Sequence, residues 1–131
     1  MNANELRIGN IIRYRDVIIC KVSNLGNHFE TINNKGLLYG SDDANEYNGV
    51  ELTEKWLLDF GFGKSDEHEL GINEHPNFNF YYNHYFKEFV LDVFDDDGVN
   101  SAFVKMNIKY IHQLQNLYFA LTNKELQLIN G

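Results

Sequence analysis

The chain has 131 residues, which is the length of one domain and enough to bury a sizeable core without a metal or disulfide staple. Nineteen acidic residues face eleven basic ones, for a net charge of −8 with neutral histidines, and the basic residues are scattered. This argues against a nucleic-acid binder, which needs a basic footprint to displace counterions. One cysteine, Cys20, excludes an internal disulfide and favours a reducing compartment. The first residues show neither a basic nor an apolar leader pattern, and no apolar run nears bilayer length, so a soluble cytoplasmic protein is expected.

The N-terminal part reads as short strands. Ile11–Arg15 and Val17–Val22 are rich in β-branched residues, and His28–Ile32 alternates. Asn33-Asn34-Lys35-Gly36 is a turn, Leu37–Tyr39 a further short strand, and residues 41–49 a polar loop. This spacing predicts a barrel-like, β-rich lobe over residues 6–52. Arg13 and Arg15 could share a strand face, with Lys21 nearby.

Thr53 is a candidate helix cap, with Glu54 at the positive end of the helix dipole. Trp56, Leu57 and Phe60 give a short helix one apolar face, and Gly61 can end it with a positive φ. Residues 63–67 are polar and charged. Asn77–Tyr82, Tyr85–Phe94 and Ser101–Met106 then read as strands, and residues 67–106 as an antiparallel meander. A last helix runs from Ile108 to Leu121 with Asn107 as its cap. Its apolar stripe is Ile108, Ile111, Leu114, Leu117, Tyr118 and Leu121, its polar side carries Gln113 and Asn116, and Asn123 can take the left-handed position after it. Leu126, Leu128 and Ile129 would form a short strand or a packed tail. The expected architecture is a single α+β domain over residues 1–131: a β-rich lobe, a short helix, and a meander packed by the C-terminal helix, the last three within 53–131.

Few constellations suggest chemistry. Asp95-Asp96-Asp97-Gly98 fails as a calcium loop, because placing Gly98 sixth puts Val93 first and Val104 twelfth; a β-turn explains it, and no metal is expected. His68, His75 and His84 fall at strand ends near Glu67, Glu69 and Glu74, and could converge into a polar site. His112 is read as a helix-flank residue. Cys20 lies in an apolar strand, where a buried thiol is the usual finding. No phosphate-binding loop occurs and no cofactor is expected. The rings of Phe78, Phe80, Tyr81, Tyr82, Tyr85 and Phe86 exceed what one sheet face can bury. Tyr81, Tyr82, Tyr85 and Phe86 are therefore candidates for a contact surface, for a protein partner or self-association.

Three segments carry a resemblance: Asn4–Asn10 (NELRIGN), Leu52–Phe62 (LTEKWLLDFGF) and Ile108–Thr122 (IKYIHQLQNLYFALT). They cover about a quarter of the chain. The chain resembles a family of small uncharacterised bacterial proteins found in phages, prophages and mobile elements. The family's Gly after Leu-Thr is Asn123 here, and Asn tolerates the same backbone conformation. The resemblance implies an intracellular accessory protein and brings no activity or cofactor. The expected function is protein–protein interaction without catalysis. The alternatives are a small-molecule-binding or sequestering protein with a ring-lined pocket, and an enzyme using the histidine–carboxylate region.

Overall fold

A computed structural model describes residues 5–15, 17–25, 29–41, 46–66, 69–75, 78–83, 88–94 and 101–129. They form α+β structure with two antiparallel sheets, in two compact units. The first unit holds the chain up to Leu52 together with Lys109–Glu125; the second holds Thr53–Ile108 and the residues from Leu126 onward.

In the first unit, β1 (Ile11–Tyr14), β2 (Ile18–Leu25), β3 (Phe29–Asn33), β4 (Leu38–Ser41) and β5 (Tyr47–Gly49) lie in the order β4-β3-β2-β1-β5. Two-residue alternation puts Ile12, Tyr14, Cys20, Val22, Thr31, Tyr39 and Tyr47 on the inner face. Tyr14 packs its ring between those of Tyr39 and Tyr47, at centroid distances of 5.1 and 5.0 Å. Leu6 joins this core. Asn33 builds the β3–β4 turn: its Oδ1 accepts the backbone N–H groups of Lys35 and Leu37 at 2.9 Å each, and Gly36 supplies φ +82°. The segment expected to be wholly loop contains β5. Its fully buried Tyr47 ring and its pairing with β1 outweigh the polar composition around it. Strands β4 and β5 end the sheet, and no ladder joins them among the described residues.

Helix α2 (Ile111–Thr122) belongs to this unit and packs on β1. The expectation that the C-terminal helix packs the meander is thereby corrected. It also starts three residues later than its apolar stripe suggests. Backbone groups of residues 109–111 are used beside β5: Leu52 N–H donates to the Lys109 carbonyl (3.0 Å), and Ile111 N–H donates to the Val50 carbonyl (2.9 Å). Tyr110 takes the cap position in place of Asn107, and Gln113 Oε1 accepts the Tyr110 and Lys109 N–H groups at 3.0 and 2.9 Å. Asn123 ends the helix at φ +59°, in the left-handed conformation expected for it.

In the second unit, α1 (Glu54–Asp59) is capped by Thr53, whose hydroxyl accepts Trp56 N–H at 3.4 Å. Gly61, at φ +93°, closes a Schellman turn in which Phe62 N–H donates to the Leu57 carbonyl and Gly61 N–H to the Leu58 carbonyl, both at 3.0 Å. The meander follows as β6 (Gly63–Asp66), β7 (Glu69–His75), β8 (Phe78–Asn83), β9 (Glu88–Phe94) and β10 (Ser101–Met106), each strand beside the next. Strand β6 falls in the polar, charged segment after α1. Phe62, Phe80, Phe89 and Tyr82 form, in that order, a run of rings at centroid distances of 6.0, 5.4 and 4.9 Å. The tail is no strand: Leu126 is buried, and Ile129 N–H donates to the Asp59 carbonyl at 2.7 Å.

Candidate functional site

Tyr81 and Tyr82 are consecutive in β8, so their side chains leave opposite faces of the sheet. Tyr82 sits across from Phe89 and stacks on it, and burial together with nearby Glu54 pushes its hydroxyl pKa up. Tyr81 lies across from Val90 on one side and Gly71 on the other. A Cβ on Gly71 would approach the Tyr81 Cβ to 3.3 Å. Both tyrosines are half-buried. They cannot belong to one flat patch. The backbone of His75 pairs with Phe78 near the end of β7. His68, His84, Tyr85, Phe86 and the Asp95–Gly98 turn lie outside the described residues. Among the described residues no group of three His, Cys, Asp or Glu could hold a metal ion.

A polar seam ties the N-terminal segment to α2. Gln115 Oε1 accepts the Ile11 N–H at 2.8 Å, and its Nε2 donates to the Gly9 carbonyl at 3.2 Å. Asn116 Oδ1 accepts from Asn10 Nδ2 (2.9 Å) and from Arg7 Nη1 (3.1 Å), and its Nδ2 donates to the Glu5 carbonyl (2.7 Å). Arg7 also pairs with Glu125 and lies over the Phe119 ring, 3.9 Å from its centroid. Asn10 and Gln115 are buried, and each hydrogen bond here answers a backbone or amide group that would otherwise lose its partner in water. Two segments from opposite ends of the chain therefore meet at this seam, and their polar residues hold the first unit together.

His112 is 1% exposed and is not a helix-flank residue. It stacks on Tyr110 with 12° between the ring planes, and its Nε2 is 3.5 Å from a Glu5 carboxylate oxygen. Among the described residues neither ring nitrogen has a hydrogen-bond partner. Burial pulls its pKa below the ordinary histidine value, against the pull of Glu5 toward the cation. Gly49 makes room for this stack: a Cβ there would come within 2.7 Å of the Tyr110 ring and 3.1 Å of His112 Cε1. A ring so enclosed cannot exchange protons with a substrate. Cys20 is equally enclosed, with Sγ 3.7 Å from the Ile12 carbonyl, and burial pushes its thiol pKa up, away from the reactive thiolate.

The outer face of the first sheet differs from these enclosed sites. Alternation places Ile11, Arg13, Ile19, Lys21, Ile32 and Leu38 there, opposite the tyrosine core; Ile11, across from Lys21, is buried, and the others are half-buried or exposed. Arg13 lies across from Ile19, and Lys21 across from Ile32, which in turn faces Leu38. Ile19 and Leu38 are 41% and 65% exposed. The sequence hinted only at the cations. Arg15 does not share the face, because it leaves β1 at φ +50° and pairs with Glu46 at 3.2 Å. The aliphatic half of the face was hidden because Ile19 lies in an unbroken aliphatic run and Leu38 beside Leu37, so neither segment alternates to show which face each residue takes.

No protein-family model, curated protein or solved structure matches the chain. No helix among the described residues is long and apolar enough to cross a membrane.

Proposed function

We propose that this chain is a non-enzymatic accessory protein of phage or mobile-element type, acting in the cytoplasm by binding another protein. The observation that carries the reading is the outer face of the first sheet, where Ile19 and Leu38 stand in water on a regular β surface. Covering such a side chain is worth up to about 1.5–3 kcal/mol, which a partner can recover. The buried, poorly ionised Cys20 and the enclosed His112 lend no support to catalysis by those groups. The phage or mobile-element assignment rests on the resemblance of the three segments.

The test is affinity capture of the tagged full chain from its native lysate, with mass spectrometry of the bound fraction. The wild type is expected to carry a stoichiometric protein. The double variant Ile19→Thr/Leu38→Thr, which keeps β-branched or strand-compatible side chains but removes aliphatic surface, is expected to lose it while melting at the same temperature. A folded variant that keeps the partner overturns the reading, as does an empty wild-type fraction.

A further inference from the structure

We infer that the partner of this outer face is acidic, a polypeptide segment that mixes carboxylates with aliphatic side chains. The inference rests on the protein-binding role proposed for the face.

The chain carries eight more acidic than basic side chains, and some of its cations are met by an acid. Arg7, Arg15, Lys55 and Lys105 pair with Glu125, Glu46, Asp59 and Glu88. Arg13, Lys21, Lys35, Lys109 and Lys124 make no ion pair among the described residues, and of these Arg13 and Lys21 stand together on one sheet face. They flank Ile19 on the same face, Arg13 across the β1–β2 pair and Lys21 two residues along β2. Such diagonal neighbours stand roughly 7–8 Å apart, close enough for two carboxylates of one extended or helical segment to reach both. Arg13 is half-buried, and its guanidinium can meet a carboxylate with two parallel charge-assisted hydrogen bonds. Glu30 shares the face as a diagonal neighbour of Lys21 on the side away from Ile19, and has an interaction of its own.

The aliphatic component decides between kinds of acidic partner. A nucleic acid is held by many phosphate contacts and by rings that stack on bases. This face offers two cations, and the sheet's rings, Tyr14, Tyr39 and Tyr47, point to the opposite side. Ile19, Ile32 and Leu38 have no use for a phosphate backbone but match the apolar side chains of a protein segment.

The test uses the full chain and a fluorescein-labelled peptide of about a dozen residues, two-thirds glutamate and one-third leucine, read by anisotropy. Controls replace glutamate by lysine, or the peptide by an oligothymidylate of the same length. The acidic peptide is expected to bind, more weakly as salt rises, and to lose roughly tenfold in affinity in Arg13→Gln/Lys21→Gln, about 1.4 kcal/mol. Lys21→Gln alone, at an exposed position, is expected to show part of that loss and covers the case in which the double variant fails to fold. Unchanged binding in the folded variants, or equal binding of the lysine peptide, overturns the inference. So does tighter binding of the oligothymidylate that the same variants abolish. If Ile19→Thr/Leu38→Thr removes the native partner in the capture experiment while Arg13→Gln/Lys21→Gln leaves it in place, the face binds protein and only the acidic assignment fails.

Discussion

Replacing Gln115 by Leu tests how much of the first unit depends on the seam between its N-terminal segment and α2. Leu fills nearly the same volume, so the change is chiefly one of hydrogen bonding. It removes the acceptor of the Ile11 N–H, now at 2.8 Å, and the donor to the Gly9 carbonyl, now at 3.2 Å. Gln115 is only 3% exposed, so water does not readily replace what is lost. Each orphaned buried group costs about 1–3 kcal/mol, giving about 2–5 kcal/mol for the pair after partial relaxation. For a chain of this length each kcal/mol moves the melting temperature by about 3–4 °C. Thermal unfolding followed by circular dichroism should therefore show a fall of roughly 6–20 °C. Gln127→Leu, on an exposed side chain, should stay within about 2 °C of the wild type. A Gln115→Leu protein that melts as high as the Gln127→Leu control would refute the claim that the seam is a stabilising junction.

His112 should make the protein acid-sensitive. Its folded-state pKa lies below the ordinary value of 6.5, so as pH falls through 6.5 the unfolded chain takes up this proton before the folded one. The contribution is whole above that value and is lost as pH drops toward the folded pKa; melting temperatures measured across this window should fall more steeply for the wild type than for His112→Phe, and equal slopes would remove the argument. Cys20 should react with a thiol-disulfide reagent far more slowly in the native protein than in denaturant, because its thiol is buried and its pKa raised; rapid native labelling would contradict the structure. Gly49→Ala should cost about 1–3 kcal/mol, since the added Cβ falls 2.7 Å from the Tyr110 ring and the ring must move; an unchanged denaturation midpoint would show that the stack yields freely.

The elements with local causes were legible in the sequence. Thr53, Gly61 and Asn123 each act through the backbone of their own turn, and each stands where its chemistry placed it. Strands β8, β9 and β10 read as strands within a meander, β8 from its alternation, while β7 was not named as a strand. What escaped reading depends on residues far apart in the chain. Asn116 looked like solvated helix surface, yet its partners are Arg7 and Asn10, more than a hundred positions earlier. The late start of α2 arises because residues 109–111 spend their backbone groups on residues 50–52, which no helical propensity reports. His112 follows the apolar Ile111 and seemed to flank the stripe; only Gly49, on another strand, shows that the ring has a place to be buried. Strand β6 lacks an apolar pattern because its pairing with β7, not its side chains, defines it. The outer face was obscured for a simpler reason: hydrophobicity marks a strand but does not say which of its two faces meets water.

The hydrogen bond from Leu52 N–H to the Lys109 carbonyl has a consequence for how such a chain can change. The polypeptide leaves the first unit directly after Leu52 and returns to it at Lys109, so the points of departure and return are already clasped to each other. Everything between them is, in topological terms, a cassette seated in a closed bracket. Its length can grow, shrink or be exchanged without moving the ends it hangs from. The tail beyond Glu125 limits this freedom, because Ile129 is tied to Asp59 inside the cassette and would have to be replaced along with it. Variation in this protein should therefore concentrate between the brackets and at the tail, in step with each other, while the junction of β1 and α2 stays as it is.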